Sequence, residues 1–314
     1  MNSNSILELS LESLDQLSPS KTWSLGDYAS AACLLEAAAP KAGNVHPSAR
    51  FDDMDYEDFR VSARVVGNVF DRSSDQSIGE LVKSAVIATQ AHVGKNTNLG
   101  ILLLLGPLAV ASKKVDDYDG PTYFDRLQTA LVAELQSLRL SDSCAIYQAI
   151  AIANPGGMGK VDEMDVRQQP PADLLSAMRL AASRDDIAKQ YVSGFSDVFE
   201  LAVKIDDYRH ARRLGWFNTL VQVQLERLAS YPDSLIARKC DQEIVERVKT
   251  LAKSALSAST FDDDKAQNTA WLQFDDFLRA DGHRRNPGTT ADLLAAATFV
   301  VLVNQLEKQT WIVA

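Results

Sequence analysis

An all-α fold is predicted by three features of the 314-residue chain. Apolar residues recur at helical spacing almost throughout, capping signatures precede several of these runs, and period-two segments bounded by turn residues are hard to find. Length alone suggests roughly two domains. The helical pattern and apolar content are nevertheless similar on both sides of the richest loop, which favours one. The expected organisation is a mobile N-terminal segment, 1–22, followed by a single compact multi-helix domain, 23–314, with buried apolar central helices.

The elements follow in order. Ser24-Leu-Gly-Asp27 can cap an Ala-rich helix that runs to Ala39 and is stopped by Pro40. Asp55 can cap the next, with Tyr56, Phe59 and Ala63 on one face and Glu57 and Asp58 in its first turn. Ser77-x-x-Glu80 is a capping box opening a third helix, and Asn96 or Thr97 can cap the apolar run after it. Further helices are predicted near 122–138, 142–153, 172–182, 187–205 and 235–256, with Asp185-Asp186 as a capped helix start rather than a metal site. Trp271, Phe274, Phe277 and Leu278 mark the penultimate helix, and Thr289-x-x-Asp292 caps the last. The apolar runs 99–111 and 293–303 are shorter than the roughly 18 residues of a membrane span and read as buried bundle helices. Asn154-Pro-Gly-Gly157 through Pro171 reads as a functional loop inside one domain. Trp216-Phe217 and Trp271 read as core rather than as platforms for a base.

Charge excludes some functions. Lys and Arg number 32 against 42 Asp and Glu, a net charge of −10, which lacks the basic face of a general nucleic-acid binder but leaves room for a local basic pocket. Cys33, Cys144 and Cys240 are too far apart for CxxC pairing, and with 4 histidines a zinc cluster has few ligands. They read as core thiols in a reducing compartment. The first twenty residues lack the basic and apolar regions of a secretory signal, so a cytoplasmic protein with no membrane segment is expected.

Four loop–helix junctions place polar groups beside small turn residues. Glu36-Ala-Ala-Ala-Pro-Lys41-Ala-Gly-Asn44-Val-His46 can bring an acid, a cation and an amide onto one ligand, or end a helix with a favourable lysine. Phe51-Asp52-Asp53-Met54-Asp55 can hold Mg²⁺ beside substrate phosphates, or supply solvated acids to a helix dipole. His92-Val-Gly-Lys95-Asn96-Thr97-Asn98-Leu99-Gly100 can cradle a phosphate at a helix N-terminus, though without a P-loop's glycine pattern. Arg284-Arg285-Asn-Pro-Gly-Thr-Thr-Ala-Asp292 can grip an anion, or merely cap a helix. The loop 154–160 resembles a nucleotide loop in composition only.

Taken in order, these segments resemble the triphosphoribosyl-dephospho-CoA synthase family. Its Pro-Lys-Pro-Gly turn after a Glu-bearing helix is matched by Glu36 and Pro40-Lys41-Ala42-Gly43, and its His-x-Asp-Met-Asp by Phe51-Asp52-Asp53-Met54-Asp55. Asn-Thr-His-Lys-Gly is matched by Asn96-Thr97-Asn98-Leu99-Gly100, and Asn-Pro-Gly-x-x-Ala-Asp-Leu-Leu is kept from Asn286 to Leu294. The resemblance spans 28–303. It departs at Phe51, Asn98 and Leu99, where two histidines and a lysine are replaced.

The resemblance implies transfer of a triphosphoribosyl group from ATP to the 2′-hydroxyl of dephospho-CoA, with adenine displaced and the anomeric centre inverted. Such chemistry needs a base, protonation of the departing group, Mg²⁺ and cations on the polyphosphate. Glu36 and Asp53 are the expected catalytic acids, and Glu36, Asp52 and Asp53 the expected metal ligands. Lys41, Asn44, Lys95, Asn96, Asn98, Arg284, Arg285 and Asp292 are expected to bind sugar or phosphate. The partners are a small-molecule nucleotide and a coenzyme precursor; the oligomeric state is open, a homodimer included. Two other readings stand beside this one. Phosphoribosyl pyrophosphate could be the donor, as in assembly of a tetrahydromethanopterin-type coenzyme, or the chain could be a non-catalytic nucleotide-binding protein.

Overall fold

The computed structural model describes residues 6–73, 75–115, 122–155, 171, 173–258 and 269–311, with side chains to 305. Among the described residues there are 15 helices and no strands, the all-α fold expected. They are α1 (Leu11–Asp15), α2 (Leu25–Ala38), α3 (Tyr56–Asp71), α4 (Ile78–Val93), α5 (Leu99–Ser112), α6 (Tyr123–Gln136), α7 (Leu140–Ala153) and α8 (Leu174–Ala181). After these come α9 (Asp186–Ser193), α10 (Ser196–His210), α11 (Trp216–Ser230), α12 (Ser234–Lys239), α13 (Gln242–Ala258), α14 (Thr269–Arg279) and α15 (Gly288–Trp311).

Three apolar helices form the centre. Every residue of α2 from Gly26 to Ala38 is buried, as is every residue of α15 from Leu293 to Leu302, and α5 is buried on nearly all sides. Helix α15 packs on α2, α5 and α10; α3 and α4 extend the layer beside α2, and α7 lies on α4. A second apolar cluster joins α11 to α13 and α14 through Val221, Leu225, Val248 and Phe274. Pro107 sits within α5 and cannot donate to the Leu103 carbonyl. The buried Tyr191 hydroxyl of α9 donates to that carbonyl at 2.7 Å instead, so the kink-prone position is satisfied from a neighbouring helix.

Ser24 with Asp27, and Asp55 with Asp58, form the expected reciprocal caps. Other boundaries differ. The predicted helix over 187–205 breaks where Gly194 (φ 63°) and Phe195 (φ 60°) are both left-handed; burial of the Phe195 ring offsets its backbone cost. That over 235–256 breaks at the extended Cys240. Helix α11 was not foreseen, because buried Gln222, Gln224 and Arg227 interrupt its apolar period. Its first turn is capped from a distance: Phe217 N donates to Asp15 at 2.6 Å, and Trp216 Nε1 donates to the Leu17 carbonyl at 2.8 Å. With Ile6, Leu7, Leu14 and Leu17 buried, the stretch from 6 to 17 is anchored to the bundle rather than free of it. Within the loop 154–171, residues 156–170 lie outside the described residues, and Asn154 (φ 42°) closes α7. No helix among the described residues is long and apolar enough to cross a membrane.

Candidate active site

The C-terminal end of α2 turns sharply at Gly43 (φ 73°), a backbone shape that favours glycine. Three side chains fix this turn. Asp275 accepts from Gly43 N at 2.7 Å, Arg279 donates to the Asn44 carbonyl at 2.6 Å, and Gln224 bonds both the N–H and the carbonyl of Ala42. His46, at its end, is buried, and this desolvation, followed by the nearby Arg279 charge, lowers its pKa to about 4. Lys41 is fully buried and points back along the turn, its Nζ 2.8 Å from Glu36 Oε1 and bonded to the Glu36 carbonyl. The ion pair therefore fixes the carboxylate of Glu36 from behind.

Glu36 opens into a cavity of about 830 Å³. Its wall also contains Asn44, Asp53, Asn96, Asn98, Gly100, Asn286 and Asp292, so all four sequence segments contribute. Asp292, in the first turn of α15, lies with its carboxyl group against Gly100 at the start of α5. Burial, then Glu36, Asp233 and Asp185, push its carboxyl well above the ordinary carboxylate range. Only glycine fits at residue 100: a Cβ there would lie 2.0 Å from Asp292 Oδ2. Helix α15 is not capped by its own Thr289 and Asp292, as the local pattern suggested. Instead Asp233 accepts from both the N–H and hydroxyl of Thr290, at 2.7 and 2.8 Å, leaving Asp292 directed to α5.

The amides are partly committed. Asn96 Oδ1 caps Leu99 N at 3.1 Å, Asn98 Nδ2 donates to Thr89 at 3.3 Å, and Asn44 bridges Gln224 and Asn286. The remaining expected residues lie elsewhere. Lys41 is behind the wall. Asp52 and Lys95 face an adjoining depression of about 250 Å³, where Lys95 pairs with Asp58 at 2.7 Å. Arg284 and Arg285 do not line the cavity; they hold their own turn, donating to the Lys239 and Phe277 carbonyls. Glu36, Asp52 and Asp53 are thus not assembled as a metal triad, and no cluster of at least 3 His, Cys, Asp or Glu suited to a metal occurs among the described residues.

Other side chains occupy the vacated roles. Arg184, Arg238 and Lys239 are cations of the lining, from the α8–α9 turn and the end of α12. His283 lines it too, with Nε2 2.9 Å from Asp53 Oδ1 and its ring edge-on to Phe51 at 4.2 Å. None belongs to a motif, and only the tertiary fold brings them here. His283 immediately precedes the Arg284-Arg285 pair, which was the one local signal available.

Acids, amides, cations and a histidine around one cavity define a small-molecule enzyme on an all-helical scaffold. The family model described as CitG, ATP:dephospho-CoA triphosphoribosyl transferase, matches residues 22–310. The chain belongs to this family, and it is a transferase of the triphosphoribosyl-dephospho-CoA synthase type. No functionally curated protein matches the sequence. A crystal structure from Archaeoglobus fulgidus, provisionally described as a triphosphoribosyl-dephospho-CoA synthase, is similar at 24% identity with a TM-score of 0.59. The match covers 78% of this chain and 98% of that one; at this identity the likeness establishes the fold.

Proposed function

We propose that the cavity binds ATP with a dephospho-CoA-type acceptor and joins the triphosphoribosyl group to an acceptor hydroxyl, adenine departing. The observation that carries this reading is the convergence of Glu36 and Asp292 with His283 and three cations on one cavity, in a chain of this family. The volume suits a small-molecule site. Displacement at an anomeric carbon builds oxocarbenium charge, which a fixed carboxylate stabilises, and it moves a proton from the attacking hydroxyl. Glu36, braced by Lys41, supplies the carboxylate. His283 handles the proton, and Asp53, 2.9 Å from its Nε2, sets the ring's orientation and tautomer. Asp53 thereby becomes a positioning residue rather than the acid first expected.

The donor set fits Mg²⁺. Asp292 stands among like charges that disfavour its ionised form, and a hard cation takes one or two carboxylates plus phosphate oxygens. Glu36 and Asp292 would hold the ion, which would neutralise charge on the polyphosphate. The cytoplasm, where ATP is abundant, is the compartment in which we place the reaction.

One observation favours a second reading. Phe51, Asn98 and Leu99, which replace two histidines and a lysine of the family motifs, all line the cavity, so these altered positions face the ligand. This supports a changed donor or acceptor, phosphoribosyl pyrophosphate with a ribitol-bearing pterin precursor being the alternative. Mass spectrometry of two reactions tests both: protein, Mg²⁺, ATP and dephospho-CoA in one, phosphoribosyl pyrophosphate and the pterin precursor in the other. Adenine release with a triphosphoribosyl mass gain supports the first reading. Pyrophosphate release in the second reaction alone moves the chain to the alternative. Nucleotide binding without turnover of either pair leaves a binding protein and overturns both.

A further inference from the structure

Arg238 and Lys239 are consecutive at the end of α12, and Arg184 precedes the cap of α9. The two elements are locked together. Ser234 accepts from Asp186 N at 3.1 Å, and Arg238 is ion-paired to Asp185. Asp185 has two further duties beside its pair with Arg238, accepting from Ile187 N and Ala188 N. The Lys239 ammonium makes no hydrogen bond or ion pair among the described residues. It is half-buried, and desolvation, followed by the Arg238 charge, lowers its pKa. Arg238 Nε is buried without a hydrogen-bond partner. In a chain of net charge −10, cations crowded against a cavity with donors unspent are an expensive arrangement unless an anion completes it.

We propose that Arg184, Arg238 and Lys239 form the polyphosphate subsite of the cavity, taking the phosphate chain of the donor while Glu36 and Asp292 face its sugar end. This rests on the transferase reading but makes a separate claim, that inorganic polyphosphate alone is recognised here. Such a chain brings acceptor oxygens at spacings that the forked guanidinium groups and the ammonium can share. Arg284, Arg285 and Lys95, the cations expected from sequence, take no part.

The test is calorimetric titration of the whole protein with inorganic tripolyphosphate, which needs no turnover. Wild type binds it. Lys239→Ala and Arg184→Ala each weaken binding by about ten- to hundredfold, the effect of removing a hydrogen bond to a charged group. Lys239→Arg retains most of it, while Lys95→Ala and Arg284→Ala bind as wild type. A circular-dichroism melt of each variant shows whether a loss reflects unfolding, and Lys239→Gln serves if Lys239→Ala melts early. Unchanged affinity in folded Lys239→Ala and Arg184→Ala overturns the subsite, as does failure of wild type to bind tripolyphosphate. If binding and its residue dependence hold while no adenine is released from ATP, the subsite stands and the transferase reading with ATP falls.

Discussion

Gly100→Ala places one methyl group where Asp292 sits. The new Cβ would lie 2.0 Å from Oδ2, 2.5 Å from Cγ and 3.0 Å from Oδ1. Restoring an ordinary contact distance of about 3.4 Å moves the carboxylate by roughly 1.4 Å. It has little freedom to move, because the first turn of α15 is tied to Asp233 through Thr290. Misplacement by about 1 Å can cost ~10²-fold in rate, or about 2.7 kcal/mol in the barrier. Stability changes less, since Ala exceeds Gly by ~1 kcal/mol in a helix while overpacking costs ~1–3 kcal/mol. The expected variant is thus folded, at most ~2 kcal/mol destabilised, and about a hundredfold slower in adenine release at saturating substrate. The double variant Gly100→Ala/Asp292→Ala separates cause from coincidence. With the carboxylate gone the methyl has room, so Gly100→Ala then adds no loss of rate and raises stability by ~1 kcal/mol over Asp292→Ala. Full activity in Gly100→Ala would refute the assignment of Asp292 to the reacting assembly.

Asp292→Asn keeps the side chain's shape but not its charge; it should fold and lose about 10²–10³-fold in turnover. Because the folded-state pKa of Asp292 is raised, the wild type loses stability as pH climbs through that value, and the variant gains relative to it from acid to alkaline pH in urea titrations. His283→Ala should lower kcat by ~10²-fold and Asp53→Ala by less, with the double variant no worse than His283→Ala; additive losses in steady-state kinetics would separate the pair. Lys41→Ala strands buried Glu36 and should cost about 3–5 kcal/mol, whereas Lys95→Ala, at an exposed pair, should leave stability nearly unchanged. His46 titrates at about 4 in the fold against 6.5 unfolded, so its stabilisation is complete above pH 6.5 and fades as pH falls toward 4. That contribution is on the order of 3 kcal/mol, and His46→Asn should show a correspondingly shallower acid limb in chemical denaturation.

The parts of the fold legible in sequence are those whose cause is local. Ser24 and Asp55 bond N–H groups within three residues, so their caps could be read directly, and the unbroken apolar runs of α5 and α15 declared burial on all sides. The site was legible only where consecutive residues carried it. Glu36, Asn96, Asn98 and Asp292 stand in motifs, and all four line the cavity. The cations of the lining escape the motifs for the complementary reason. Arg284-Arg285 is the conspicuous basic pair beside a helix start, but its guanidinium groups satisfy carbonyls of Lys239 and Phe277. Arg184 and Lys239 stand 55 residues apart, and neither carries a pattern; the Ser234 and Asp185 links that bring their elements together are visible only in three dimensions.

A single device recurs at the helix starts, a carboxylate brought from elsewhere in the chain. Asp71 accepts from Gly26 N at 2.8 Å, Asp142 from Gly79 N at 2.9 Å, Asp15 from Phe217 N at 2.6 Å and Asp233 from Thr290 N at 2.7 Å. Each is a distant carboxylate at the positive end of another helix. Asp292 lies at the start of α5 beside Gly100, and it alone among these five lines the cavity. Asp233 has its oxygens filled by Leu235, Ile236 and Thr290, whereas Asp292 keeps acceptor capacity toward the ligand. This changes the meaning of the Lys95–Gly100 segment. A free helix N-terminus attracts phosphate, yet the one at α5 already holds a carboxylate, and Lys95 has turned away to Asp58. An anion placed there would meet Asp292 and Glu36 instead of open N–H groups. This agrees with the proposed subsite, which takes the polyphosphate toward Arg184 and Lys239 and away from the start of α5.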